Sequence, residues 1–447
     1  MQGYIKTYLL LGSCVLSLSA CSTVSKVFDE KENPPIEGKR LSVLALQKSL
    51  EPDSTAIEQG GVILPEIWQN EYWPQAGGLP NHAMHNLAWE SGDVDVLWRA
   101  DIGSGSHNEI PLTAQPVIVK DVIYALDTES KLSAINAQNG KKIWGIDVSN
   151  KAEDEDVIGG GIAFANGMLF ITNGSNEILS VSVSEGKIIW RANLPTPARA
   201  APTALGGRVF VSTLDDRLFA IDAEKGTVIW DYLGIGETTG LLGAASPAAN
   251  TSIVVPAFSS GELTALRVEN GSVVWSDNLA NVRKFGGGLE SLSDIKAMPV
   301  MDRGVVIAMS FSDKLVAIEE HTGLRLWQRE IGGSATPWVA GNAVFVLSND
   351  NQLVALRLED GAILWVEQVP RYEDPDDQKN EIIWSSPVMA SGNILLCGSH
   401  GKILKYDAQT GKPAGSIKIG AAVQITPVIS NGIMYVLAEN GTLIALR

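Results

Sequence analysis

The sequence predicts an all-β protein: a single eight-bladed β-propeller of four-stranded antiparallel blades, closed by pairing a strand near the N-terminus with the C-terminal blade. Three observations predict it. A glycine-to-tryptophan repeat recurs at blade spacing, a proline opens most units, and one missing strand at the end is matched by a spare strand near the beginning.

One unit runs from Arg208 to Trp230, RVFVSTLDDRLFAIDAEKGTVIW. It holds three short strands rich in β-branched residues, divided by polar turns. A glycine stands four residues before a tryptophan at Gly140/Trp144, Gly186/Trp190, Gly226/Trp230, Gly271/Trp275, Gly323/Trp327 and Gly361/Trp365. A further copy begins at Gly411, but Gly415 occupies its tryptophan position. The tryptophans recur at roughly 40 to 50 residues, the period of a four-stranded propeller blade. The glycine is expected to supply a turn with positive φ before the outermost strand. The indole is expected to fill the wedge between neighbouring blades.

Proline marks the innermost strand at Pro116, Pro202, Pro247, Pro299, Pro337, Pro387 and Pro427. It is tolerated because the first residue of a strand need not donate to the ladder. The unit around Ile162-Ala163-Phe164 lacks it and brings the starts to eight. Leu443–Arg447 reads as the third strand of the eighth unit. Asp95-Val96-Leu97-Trp98 is a tryptophan-ending strand without a unit of its own, and pairing the two buries both sheet edges. Trp98 thus joins Trp144, Trp190, Trp230, Trp275, Trp327 and Trp365 as a structural repeat position.

Residues 1–20 read as a signal peptide, 21–64 as a tether and 65–447 as the propeller. After Lys6, the apolar run from Tyr8 to Ala20 is too short for a permanent span and fits a secretory h-region. It ends Leu18-Ser19-Ala20-Cys21, which resembles the lipobox of bacterial lipoproteins and implies acylation of Cys21 after cleavage. Several acyl chains anchor stably where one does not. Ser22, in place of an aspartate, points by analogy to the outer membrane. Residues 22–64 are polar and carry Glu32-Asn33-Pro34-Pro35, as a tether does.

Composition narrows the function. A net charge of −17 disfavours nucleic acid, whose phosphates require a basic face. Of three cysteines, Cys14 and Cys21 lie in the leader region, so the body has no disulfide framework. Cys397, within Ile394-Leu395-Leu396-Cys397, reads as a small buried hydrophobe.

The repeat Ala-Ile-Asp-Ala-Glu-Lys-Gly-Thr-Val-Ile-Trp resembles that of quinoprotein dehydrogenases, which bind pyrroloquinoline quinone. With the lipobox and the eight units, the whole chain resembles the BamB-like lipoproteins of outer-membrane β-barrel assembly. Trp73-Pro74-Gln75-Ala76-Gly77-Gly78 is similar to the opening segment of many propellers of this group. The resemblance implies a lipid-anchored scaffold on the periplasmic face of the outer membrane. It implies binding to the periplasmic domains of the barrel-inserting subunit, BamA; the ring architecture adds unfolded barrel precursors as a second expected partner, paired to an exposed strand edge. By position, the family's contact loops fall at Gly240-Leu241-Leu242-Gly243 and at Leu289-Glu290-Ser291-Leu292-Ser293-Asp294. Leu242 replaces an arginine of the enterobacterial proteins, which leaves an apolar contact there rather than an ionic one.

The resemblance also sets the competing class, a periplasmic quinoprotein dehydrogenase. Such enzymes carry adjacent cysteines over the quinone, a calcium site and an aspartate base. This chain has no adjacent cysteine pair, so the expectation is a non-enzyme without a cofactor. A propeller lipoprotein of another envelope complex is the nearer alternative. His82 and His85 stand close in Pro80–His85 but lack a third metal ligand in register, and they read as solvated loop residues. Gly286-Gly287-Gly288 lacks phosphate-loop spacing. The acidic loops Glu153–Asp156 and Glu373–Asp377 lack the alternating ligands of a calcium loop and read as solvated insertions, suited to an acidic rim facing basic partner segments.

Overall fold

The computed structural model describes residues 50–89, 94–107, 110–151, 157–236, 244–280 and 294–447. Their strands form eight four-stranded antiparallel sheets and one two-stranded hairpin. Blade 1 starts at Val117, blade 2 at Gly161, blade 3 at Thr203 and blade 4 at Ala248. Blades 5 to 8 start at Val300, Trp338, Val388 and Val428. Each of the seven prolines immediately precedes the first strand of its blade. Blade 8 closes as expected: Val96–Asp101 pairs antiparallel with Thr442–Leu446, and Asp95 and Arg447 exchange backbone hydrogen bonds.

The second and third strands do not alternate. Val209, Phe210, Val211, Leu218, Ala220 and Ile221 are all buried, because both faces of the blade pack against neighbours. Continuous apolar runs are what such strands require. Only the fourth strand faces solvent on one side, and only there does burial alternate.

A bulge sits one residue before each tryptophan. In blade 3, Val228 pairs with Ile221 and Trp230 with Ala220, leaving Ile229 as the extra residue. The same shift recurs at Trp98, Trp144, Trp190, Trp275, Trp327 and Trp365. A bulge re-aims the side chain that follows it. Here it turns the indole toward the next blade, where Nε1 donates to a carbonyl at 2.7–3.2 Å. The acceptors are Ala137, Val183, Ala223, Val268, Glu320, Leu358 and Ala408, each just after its blade's third strand.

The repeated glycine therefore serves the tryptophan of the preceding blade, not its own. Gly226 has φ +70°, and a Cβ there would lie 2.7 Å from Trp190 Cδ2 and Cε3. Gly140, Gly186, Gly271, Gly323, Gly361 and Gly411 stand in the same relation to Trp98, Trp144, Trp230, Trp275, Trp327 and Trp365. Positive φ and close approach both demand glycine.

Residues 50–89 pack onto this ring. The helix Ser54–Glu58, capped by Asp53, lies against the outer strand of blade 6, with Asp53 N–H donating to Ile363 O at 2.7 Å. Beyond Ile63, the chain runs as a strap across the inner strands. Trp73 exchanges hydrogen bonds with Ile118 of blade 1, and Pro74 O accepts from Phe164 of blade 2. Gln75 Oε1 accepts from Ala204 of blade 3. Pro80 O and Asn81 O accept from Ala249 of blade 4 and Met301 of blade 5. The strap thus satisfies inner-strand donors that a bare channel would leave to water.

Candidate functional site

Chain direction gives the ring two unlike faces. The turns between first and second strands lie on one face, and there the strap meets Asn342, Ser391 and Asn431. On the opposite face lie the turns between second and third strands and the connections between blades. The two segments to which the resemblance assigns partner contacts lie, in sequence, between blades 3 and 4 and between blades 4 and 5.

Leu241, Leu242, Gly243 and Glu290 lie outside the described residues, as do Cys21, the acidic loop Glu153–Asp156 and Gly286–Gly288. Asp294 is described and buried, its carbonyl accepting from Phe311 N–H at 3.0 Å. Beside the first loop, Leu233 and Ile235 are 57% and 66% exposed, and Leu214 of the adjacent turn is 40% exposed. Arg217 pairs with Leu233 in the ladder, so these apolar side chains gather at one corner of blade 3.

A second apolar feature circles the rim. The bulge residues Leu97, Ile143, Ile189, Ile229 and Leu326 are exposed. Leu364, the equivalent on blade 6, is buried in a cluster that includes Ala56 of the short helix. The chain covers one rim position with its own segment and leaves these five open.

The face with the blade connections also opens into an axial cavity of about 420 Å³. Its floor is the strap, where Trp73 stacks on Trp338 with centroids 6.5 Å apart. Gln115 braces this floor: its Oε1 accepts from Gly77 N and Trp73 Nε1, and its Nε2 donates to Thr426 O. His82 is buried rather than solvated, because the strap turns it under the ring. Burial lowers its pKa to about 4, so the ring is neutral at pH 7. Its Nδ1 stands 2.7 Å from Pro299 O, and a carbonyl only accepts, so the proton sits on Nδ1. His85 Nε2 lies 3.7 Å from Asp302. Among the described residues, no group of three or more His, Cys, Asp or Glu side chains is placed to hold a metal.

Cys397 is wholly buried, and burial raises its thiol to about 12, so it is an inert packing residue. The second acidic loop is the exposed hairpin Tyr372–Asp374 and Lys379–Glu381. Arg371–Glu381 and Lys379–Asp377 ion pairs tie it together.

These features define the class: an eight-bladed β-propeller with apolar surface on its rim and at one corner of its open face. A family model described as outer membrane protein assembly factor BamB matches residues 85–158, 151–367 and 374–447. The chain belongs to that family. It is 24% identical over 356 residues to outer membrane protein assembly factor BamB of Escherichia coli K12, spanning 78% of this chain and 88% of that protein. The crystal structure of BamB from Moraxella catarrhalis matches with TM-score 0.66 at 19% identity, over 79% of this chain and 99% of that one. A quinohemoprotein alcohol dehydrogenase from Comamonas testosteroni shares the fold, with TM-score 0.66 at 13% identity over 90% and 83% of the two chains.

Proposed function

We propose that this protein is a lipid-anchored, non-catalytic scaffold on the periplasmic face of the outer membrane, docking on BamA and assisting insertion of barrel proteins. One observation carries the docking: Leu214, Leu233 and Ile235 expose apolar surface beside the loop that holds Leu241 and Leu242. Contiguous exposed apolar surface on a soluble face marks an interaction site. Glu290 belongs to the second contact segment, which ends in sequence at the buried Asp294. Cys21 is the lipidated residue, and the lack of an adjacent cysteine pair supports the non-catalytic reading. The open bulge residues suit extended barrel precursors, which add to outer strands through backbone hydrogen bonds.

Affinity isolation from detergent-solubilised envelopes tests this. The wild-type chain is expected to recover BamA. Leu233→Asp with Ile235→Asp, and separately Leu241→Asp with Leu242→Asp, are expected to lose it, whereas Ile143→Asp on the rim of blade 1 retains it. Undiminished recovery with both double variants would sink the assignment.

A further inference from the structure

Asparagine precedes glycine at Asn139, Asn166, Asn173, Asn270, Asn431 and Asn440. Asparagine is a thermolabile residue, and glycine after it removes the Cβ that would hinder attack by the next main-chain nitrogen on the side-chain carbonyl. The fold treats these pairs differently. At Asn139, Asn270 and Asn440 both reacting groups are tied down. The following glycine N–H donates to the carbonyl of Asn136, Arg267 or Ala438 at 2.9–3.0 Å. The side-chain carbonyl accepts from the N–H of Lys141, Ser272 or Thr442 at 3.0–3.1 Å. Asn173 is buried, its side-chain nitrogen donating to Val148 O and its side-chain oxygen accepting from the Ser175 hydroxyl.

Asn166 and Asn431 occupy matching places. Each opens a two-residue turn between the first and second strands of its blade, from Ala165 to Met168 in blade 2 and from Ser430 to Ile433 in blade 8. Both asparagines have φ +52°, and the glycines after them have φ +81° and +72°. Positive φ at both central positions is the demand of a type I′ turn, which Asn-Gly meets, so turn geometry selects the labile pair. The strap separates the two sites. Asn431 N–H donates to Asn70 O at 2.8 Å, and Trp89 bridges to Gly432. At blade 2 the strap pairs with Ala163 and Phe164, on the inner strand itself. Asn166 and Gly167 are exposed. Neither the Gly167 N–H nor the Asn166 side chain has a hydrogen-bond partner among the described residues.

We propose that Asn166 is a deamidation site, where the chain converts its own asparagine to aspartate and isoaspartate. The main-chain nitrogen of Gly167 bonds to Asn166 Cγ, and the side-chain nitrogen leaves as ammonia with the proton that Gly167 gives up. Water then opens the cyclic imide at either of its carbonyls, and no oxidant or reductant enters the step. Both products add a negative charge to a chain already at −17. Isoaspartate also adds a methylene to the main chain. That insertion falls between the ladder partners Ala165 and Met168, next to Phe164, whose N–H donates to Pro74 O of the strap at 2.7 Å. The modification thus lengthens the turn that closes the strand on which the strap rests.

Ageing the whole chain in mildly alkaline buffer tests this, with peptide mass spectrometry following the conversion of amide to acid at each Asn-Gly pair. Labelling by an isoaspartyl methyltransferase counts the isoaspartate formed. In the folded chain the Asn166 peptide is expected to convert first. The other five pairs should lag by at least roughly tenfold, because each reacts only from a locally opened state. In concentrated urea, where no turn is held, Asn166 and Asn431 should convert at similar rates. An Asn166 that stays intact in the folded chain while it reacts in urea overturns the proposal, and so does an Asn431 that keeps pace with it in the folded chain. A difference between the two that persists unchanged in urea would trace to flanking residues instead of the strap, and overturns it as well. None of these comparisons needs a variant to fold.

Discussion

Replacing Gly226 with alanine tests the tryptophan wedge directly. Its φ of +70° becomes strained once a Cβ is present, at a cost of about 1–2 kcal/mol. The new methyl also meets Trp190 Cδ2 and Cε3 at 2.7 Å, roughly 1 Å inside ordinary carbon contact. The indole must retreat, and its 3.1 Å hydrogen bond to Ala223 O stretches with it. Overpacking of this kind costs about 1–3 kcal/mol. Gly207 separates the two effects: its φ is +79°, and a Cβ there meets nothing within 4 Å. Gly207→Ala therefore bears only the backbone cost. Urea unfolding followed by far-ultraviolet circular dichroism should place Gly226→Ala about 1–3 kcal/mol below Gly207→Ala. In a Trp190→Ala background the difference should vanish, since the clashing ring is gone. Equal losses for the two glycines in the wild-type background would refute the wedge.

Two further predictions follow from the strap. Gln75→Ala leaves the buried Ala204 N–H without its acceptor, so stability should fall by about 1–3 kcal/mol in the same urea assay, and a loss below about 0.5 kcal/mol counts against the bond. His82 has its folded pKa depressed below its unfolded value, so its contribution is present above pH 6.5 and is lost as pH falls toward 4. The full loss is about 3 kcal/mol, and His82→Gln should flatten that portion of a pH series relative to wild type. Parallel curves for the two proteins would show that His82 is not buried in its neutral form.

The ring was legible because its signals repeat. Prolines, glycine–tryptophan pairs and the spare strand at Trp98 each counted the same blades, and strand ends fell where they indicated. What the glycines do was not legible from one unit. Each acts on a tryptophan in the preceding blade, and sequence spacing shows only the neighbour within its own unit. The docking of residues 50–64 on blade 6 was hidden for another reason. It runs through backbone groups such as Asp53 N and through Asn342, and backbone hydrogen bonding leaves no composition signal. The axial cavity was invisible because Trp73, His82, Gln115 and Trp338 are scattered over the chain and converge only when the ring closes.

Closure also explains the one unit that breaks the repeat. A wedge on blade 7 would need a receiving glycine turn between the third and fourth strands of blade 8. Blade 8 has no such turn, because its fourth strand comes from Val96–Asp101. The tryptophan position is accordingly Gly415, and its ladder partner is Lys405 where blade 3 has Ala220. The seam between blades 7 and 8 is held by other means. Arg99 reaches across it to Ile419 O at 3.1 Å. The strap crosses it as well: Leu87 exchanges hydrogen bonds with Met389 and Ser391 of blade 7, and Asn70 with Ile429 and Asn431 of blade 8. Trp89 then bridges to Gly432, so strap segments bind both blades at the interface that lacks an indole. The segment that floors the cavity is thus also the clasp of the ring.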